Sequence, residues 1–140
     1  MSNFVQFKYN ANNFNTKSSQ YGSDQNFNVC SVINISSYDL YDSNNLKIGF
    51  IEFIDNGVSA KSTNNFQNSP QLYNETGSFF VEGEGTFTYN TSFISNSDAF
   101  SAGQVLPTII SATGIYYNKI DKMVIDAFEN GDRNVWIIFK

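Results

Sequence analysis

Thirteen acidic side chains and no histidine set the chemistry open to this chain. Without imidazole, Ser-His and Cys-His nucleophile pairs and His-ligated metals are excluded. Acid–base work falls to carboxylates, supported by lysines, tyrosines and the single cysteine, Cys30. Glu82 and Glu84 lie two apart in an alternating stretch, roughly 7 Å from each other along a strand, a spacing that a general acid and base could use. The same alternation fits two carboxylates facing solvent while Phe79, Val81, Gly83, Phe87 and Tyr89 face a core. Glu52 shares its strand face with Ile48, Phe50 and Ile54, so it must find a partner or hold a proton. It is a candidate ligand-binding residue, weighed against a structural ion pair with Lys47, Lys61 or Lys122. Asp121, Asp126, Glu129 and Asp132 lack the loop spacing of oxygen-ligand calcium sites and read as a solvated hairpin face. The sequence therefore points to no metal and no cofactor. Cys30, with no cationic neighbour in sequence, reads as a small buried hydrophobe.

The elements that must position these groups are strands. The chain has 140 residues, enough for one domain with one core. Its 14 Phe and 8 Tyr alternate with Ile, Val and turn-forming Asn, Ser and Gly, a pattern of all-β proteins. The abundance of Asn and Ser also matches the output of an AT-rich genome. A net charge of −5 with no basic cluster argues against nucleic acid and against anionic membrane surfaces. No apolar run is long enough to insert into a bilayer. The first residues lack a secretory signal, and a lone cysteine suits a reducing compartment, so the expected location is the cytoplasm or a virion.

Residues 1–25 are Asn-rich with scattered aromatics and are expected to form an extended N-terminal arm; residues 26–140 form the body. Strands are expected over Phe27 to Tyr38, Leu46 to Asp55, from Val58, Gln71 to Tyr89, Val105 to Ala112, Ile115 to Phe128 with a break, and Asn134 to Phe139. Asp55-Asn56-Gly57 reads as a hairpin turn, because Asn-Gly tolerates positive φ. About eight strands with glycines inside them predict a closed antiparallel up-and-down barrel.

Three blocks carry a resemblance: LYDSNNLKIGFIEF (Leu40 to Phe53), GSFFVEGEGTFTY (Gly77 to Tyr89) and IISATGIYYNKIDKMVIDAF (Ile109 to Phe128). In order and spacing the chain resembles the allene oxide cyclase and dirigent barrels. The resemblance implies an eight-stranded barrel, a homotrimer, and an apolar lumen for a small molecule. It places Asn34 where the cyclases carry a water-holding asparagine, making Asn34 a second candidate ligand-binding residue. The cyclase carboxylate position is Val32, which can neither take a proton nor stabilise a cation.

Two function classes follow. In the first, a structural or interaction protein self-associates through its barrel surface and its arm, as a virion component could. In the second, the barrel binds an apolar small molecule, as a carrier or a divergent cyclase or isomerase. Val32 favours the first. A filled lumen would end the second, and a cavity beside Asn34 or Glu52 would revive it.

Overall fold

The computed structural model describes residues 3–24, 29–59, 71–95 and 103–140. Among the described residues the strands, all paired antiparallel, are β1 (Phe4–Asn10), β2 (Phe14–Asp24), β3 (Val29–Tyr41), β4 (Lys47–Ser59), β5 (Gln71–Val81), β6 (Gly85–Ser95), β7 (Gly103–Val105), β8 (Thr108–Ala112), β9 (Ile120–Ala127) and β10 (Asp132–Phe139). A 3-10 turn at Gly114–Tyr116 precedes β9. The fold is all-β, and among the described residues no helix is long and apolar enough to cross a membrane.

The sheet is strongly curled but its ladder does not close, which corrects the expected closed barrel. The hydrogen-bonded order runs β7-β9-β10-β1-β3-β4-β5-β6-β8, with β2 pairing on β3 beside this path. The curl brings β8 close to β9, yet the two do not pair. Pro107, buried between β7 and β8, helps to explain the break, since it has no N–H for a ladder.

Most of the expected extended arm belongs to the sheet itself, as β1 and β2. Residues 4–10 pair along their whole length with β10, from Phe4 opposite Ile138 to Asn10 opposite Asp132. Phe7 is 1% exposed at the centre of the core. β1 pairs with β3 only where Lys8 lies opposite Tyr41; β2 then takes over as partner of β3, from Phe14 opposite Tyr38 to Asp24 opposite Val29. That change of partner leaves one edge of β2 unpaired and opens the curled sheet near the β9–β10 turn.

β4 runs straight through Asp55-Asn56-Gly57, which corrects the predicted turn. Gly57 lies opposite Tyr73, and a Cβ there would stand 2.5 Å from the Tyr73 ring. The glycine makes room for an aromatic side chain laid across the sheet instead of turning the chain. Gly77 does the same one step along: a Cβ would meet the Phe53 and Tyr89 rings at 2.6 Å. The real β3–β4 turn is Asp42 to Leu46, where the Asp42 carboxylate accepts from the amides of Asn44 at 2.8 Å and Leu46 at 3.0 Å. Asn45 adopts φ 63° there.

Alternation then sorts the side chains. Even positions of β3 and odd positions of β4, β5 and β6 face inward, so Leu40, Ile51, Phe79, Val81 and Phe87 join Phe7, Tyr116, Met123, Val135 and Ile137 in one core. Phe79 and Phe87 stack at 4.7 Å, and Tyr116 meets Phe87 edge-on at 5.0 Å. This end of the interior is filled.

Candidate functional site

The other end is polar. Successive cross-strand partners place Ser19 opposite Asn34, Asn34 opposite Asp55, Asp55 opposite Glu75 and Glu75 opposite Thr91. Asn34, Asp55 and Glu75 face inward in the same alternation that buries Tyr38, Phe53 and Phe79, and direct neighbours across a sheet hold their Cβ atoms about 5 Å apart. Together with Ser36, Tyr38, Phe53, Tyr73, Phe93 and Arg133 they line a cavity of about 180 Å3. Lys17 of β2 and the Phe128 to Gly131 turn border it.

Glu75 is 8% exposed and accepts a hydrogen bond from the Tyr89 hydroxyl at 2.8 Å. Burial holds that hydroxyl's pKa well above its ordinary value, and the charge of Glu75 adds to the effect, so Tyr89 remains a donor. Asp55 Oδ1 is sealed from solvent and has no partner that could donate to it among the described residues. Two facing carboxylates cannot satisfy one another without a proton. Burial, followed by the charge of Glu75, pushes the Asp55 carboxyl up to about 10. At neutral pH Asp55 is therefore the partner that holds a proton, facing Glu75 across the ladder.

Arg133, 4% exposed, lines the same cavity. Its Nη1 donates to the carbonyls of Phe128 at 3.1 Å and Asp132 at 3.0 Å. Burial lowers its pKa, while the buried Tyr9 and the charge of Glu75 oppose that shift. The Tyr38 hydroxyl donates to the Ala11 carbonyl at 3.3 Å, and burial raises its pKa. The aromatic part of the site is a mutually packed set: Tyr38 to Phe53 at 5.5 Å, and Tyr73 stacked on Phe93 at 5.4 Å.

The residues singled out from sequence separate. Asn34 is in the cavity, its Oδ1 accepting from Ser19 Oγ at 2.6 Å. Glu52 is not; it is exposed on the outer face of β4, because the apolar face it shares with Phe50 and Ile54 is the outer one. The ion pair found among the described residues joins Lys47 to Asp39 at 3.2 Å and does not involve Glu52. Glu82 and Glu84 lie in the exposed β5–β6 turn, where Glu84 accepts from the Tyr116 hydroxyl at 2.7 Å. Asp126 accepts from Gln104 and Trp136, and Asp132 from Asn10 and Asn130; among the described residues no acidic cluster of three is assembled. The Cys30 side chain lies outside the described residues.

Asp55, Glu75, Tyr89 and Arg133 were missed as site residues, although a signal for the carboxylates was present. Asp55 continues the inward series Ile51, Phe53, and Glu75 interrupts Tyr73, Gly77, Phe79. The carboxylates at the cavity stand on β4 and β5, and Val32 on β3 is buried.

No protein-family model and no curated protein sequence matches this chain. Its fold is similar to the solved structure of a pyocyanin demethylase, with a TM-score of 0.63 and 11% identity over 98% of this chain and 99% of that one. At that identity the likeness concerns the fold.

Proposed function

We propose that this chain binds a small ring compound in the open end of its curled sheet and exchanges a proton with it through Asp55 and Glu75. The observation that carries the reading is the facing carboxyl groups of Asp55 and Glu75 on the wall of a cavity that aromatic rings, Lys17, Ser36 and Arg133 also line. A cavity near 150 Å3 holds one benzene-sized molecule, so about 180 Å3 fits a single ring. Asp55 takes a proton from the ligand at Oδ2 as its Oδ1 proton passes to Glu75, and the reverse movement returns it. The ligand loses one proton, Glu75 gains one, and Tyr89 steadies the Glu75 oxygen that it already contacts. That a fold neighbour is a pyocyanin demethylase adds that this architecture can carry small-molecule chemistry. The cyclase-like character implied by the family resemblance is compatible with this reading, with the acid–base groups moved one and two strands along.

The test is a ligand-observed NMR screen of single-ring aromatic and heterocyclic compounds. Binders are expected with the wild type and lost when Ser36→Phe fills the cavity. Deuterium uptake into a bound ligand should fall by about 100-fold or more in Glu75→Gln, the usual size of a general-base contribution. Binding that survives Ser36→Phe unchanged would place the ligand elsewhere.

Self-association is a second reading, favoured by the outer face. Ile35 stands opposite Ile54, Val58 opposite Leu72 and Leu72 opposite Ile94, with Ile54 47%, Leu72 58% and Ile94 69% exposed. An apolar row of this kind suits contact with further copies of the chain. The double substitution Ile54→Lys, Leu72→Lys should lower the mass measured by light scattering; an unchanged mass would remove the reading.

A further inference from the structure

The cavity wall offers one acceptor and one donor side by side. Asp55 is half-buried and lines the cavity, whereas its Oδ1 is sealed from solvent. The oxygen that Asp55 presents to the cavity is therefore Oδ2, which in a protonated carboxyl acts as a carbonyl-type acceptor. Directly across the ladder, Asn34 has its Oδ1 occupied by Ser19 Oγ, which leaves its Nδ2 amide as a donor. Direct cross-strand neighbours separate such groups by about 5 Å at Cβ, so both can converge on adjacent atoms of one ring. Phe53 floors the space and the stacked Tyr73 and Phe93 border it, which favours a flat ligand.

Building on the single-ring reading above, we propose that the cavity recognises the cis-amide edge of a monocyclic lactam, its ring N–H donating to Asp55 Oδ2 and its carbonyl accepting from Asn34 Nδ2. A carboxylic acid next to an amide discriminates this edge from three alternatives. A plain arene leaves both groups unmatched. An N-alkylated lactam removes the donor and adds bulk toward Asp55. An anionic ring meets the charge of Glu75.

Three probes separate the possibilities in calorimetric or NMR titrations of the full chain: 2-pyridone, N-methyl-2-pyridone and benzene. 2-Pyridone is expected to bind at least about tenfold more tightly than N-methyl-2-pyridone, the worth of one hydrogen bond to an otherwise unmatched group. Asn34→Leu should weaken 2-pyridone by about tenfold and leave benzene within a factor of about two. Equal affinity for 2-pyridone and its N-methyl derivative overturns the lactam edge while leaving the ring-binding cavity standing. Binding of none of the three overturns the cavity reading together with the lactam edge. If Asn34→Leu fails to fold, the two pyridones decide the matter alone.

Discussion

The two ends of the curled sheet are built from the same strands and obey the same inward alternation, yet they do different things. At the filled end, Phe7, Phe79, Phe87 and Tyr116 meet ring to ring, and nothing polar is left to satisfy except the Tyr116 hydroxyl, which reaches Glu84. At the open end, the same inward positions of β3, β4, β5 and β6 carry Asn34, Asp55, Glu75 and Thr91. Asn34 accepts from Ser19 and Glu75 from Tyr89, and Asp55 Oδ1 has no donor among the described residues. The difference teaches that the filled end holds the sheet together so that the open end can keep carboxyl groups where burial disfavours their charge.

Breaking the filled end should have the largest effect. Deleting residues 1–25 removes β1 from between β10 and β3, and the expected result is loss of the β-sheet signal in circular dichroism and not a trimmed, folded barrel. Phe79→Ala should cost about 3–5 kcal/mol in denaturant unfolding, because it empties space shared by Phe7 and Phe87. At the open end, Tyr89→Phe keeps the ring packing but strips Glu75 of its hydroxyl donor, at about 1–2 kcal/mol.

The pH dependence separates the ends further. Asp55 keeps its proton in the folded chain up to about pH 10, whereas an unfolded aspartate releases it near pH 4. The folded state therefore holds the extra proton across that window. Its stabilising share is fully present below about pH 4 and is lost as pH rises toward 10, by at most about 1.4 kcal/mol per pH unit. Asp55→Asn, an amide that imitates the protonated acid, should flatten this slope in unfolding curves taken between pH 5 and 9. Phe79→Ala should shift the same curves without changing their slope. Smallest of all, Glu52→Gln on the outer face should change stability by less than about 0.5 kcal/mol.

How far these ends could be read from sequence differs as well. The all-β class and most strand positions were legible in the alternation of aromatics with Ser, Thr and Asn. The alternation did not say which face of β4 points inward: Ile48, Phe50 and Ile54 are as apolar as Ile51 and Phe53, so Glu52 drew attention and Asp55 did not. Asn56-Gly57 resembled a turn because dipeptide chemistry is local, while the reason for Gly57 is Tyr73 on the neighbouring strand. β1 and β2 were hidden by their Asn, Ser and Gln content, since a strand's partner is a matter of tertiary pairing as much as propensity. Asn34 was found through family likeness, whereas its carboxyl neighbours come from strands on which the likeness offered no equivalent.

The proton held by Asp55 is the centre of this account, and the most direct measurement is a 13C NMR titration of the Asp55 and Glu75 carboxyl carbons across the pH range of the folded chain. The account expects a carboxyl step near pH 10 at Asp55 that disappears in Asp55→Asn. Ionisation of Asp55 near pH 4, with no later carboxyl step, would contradict it.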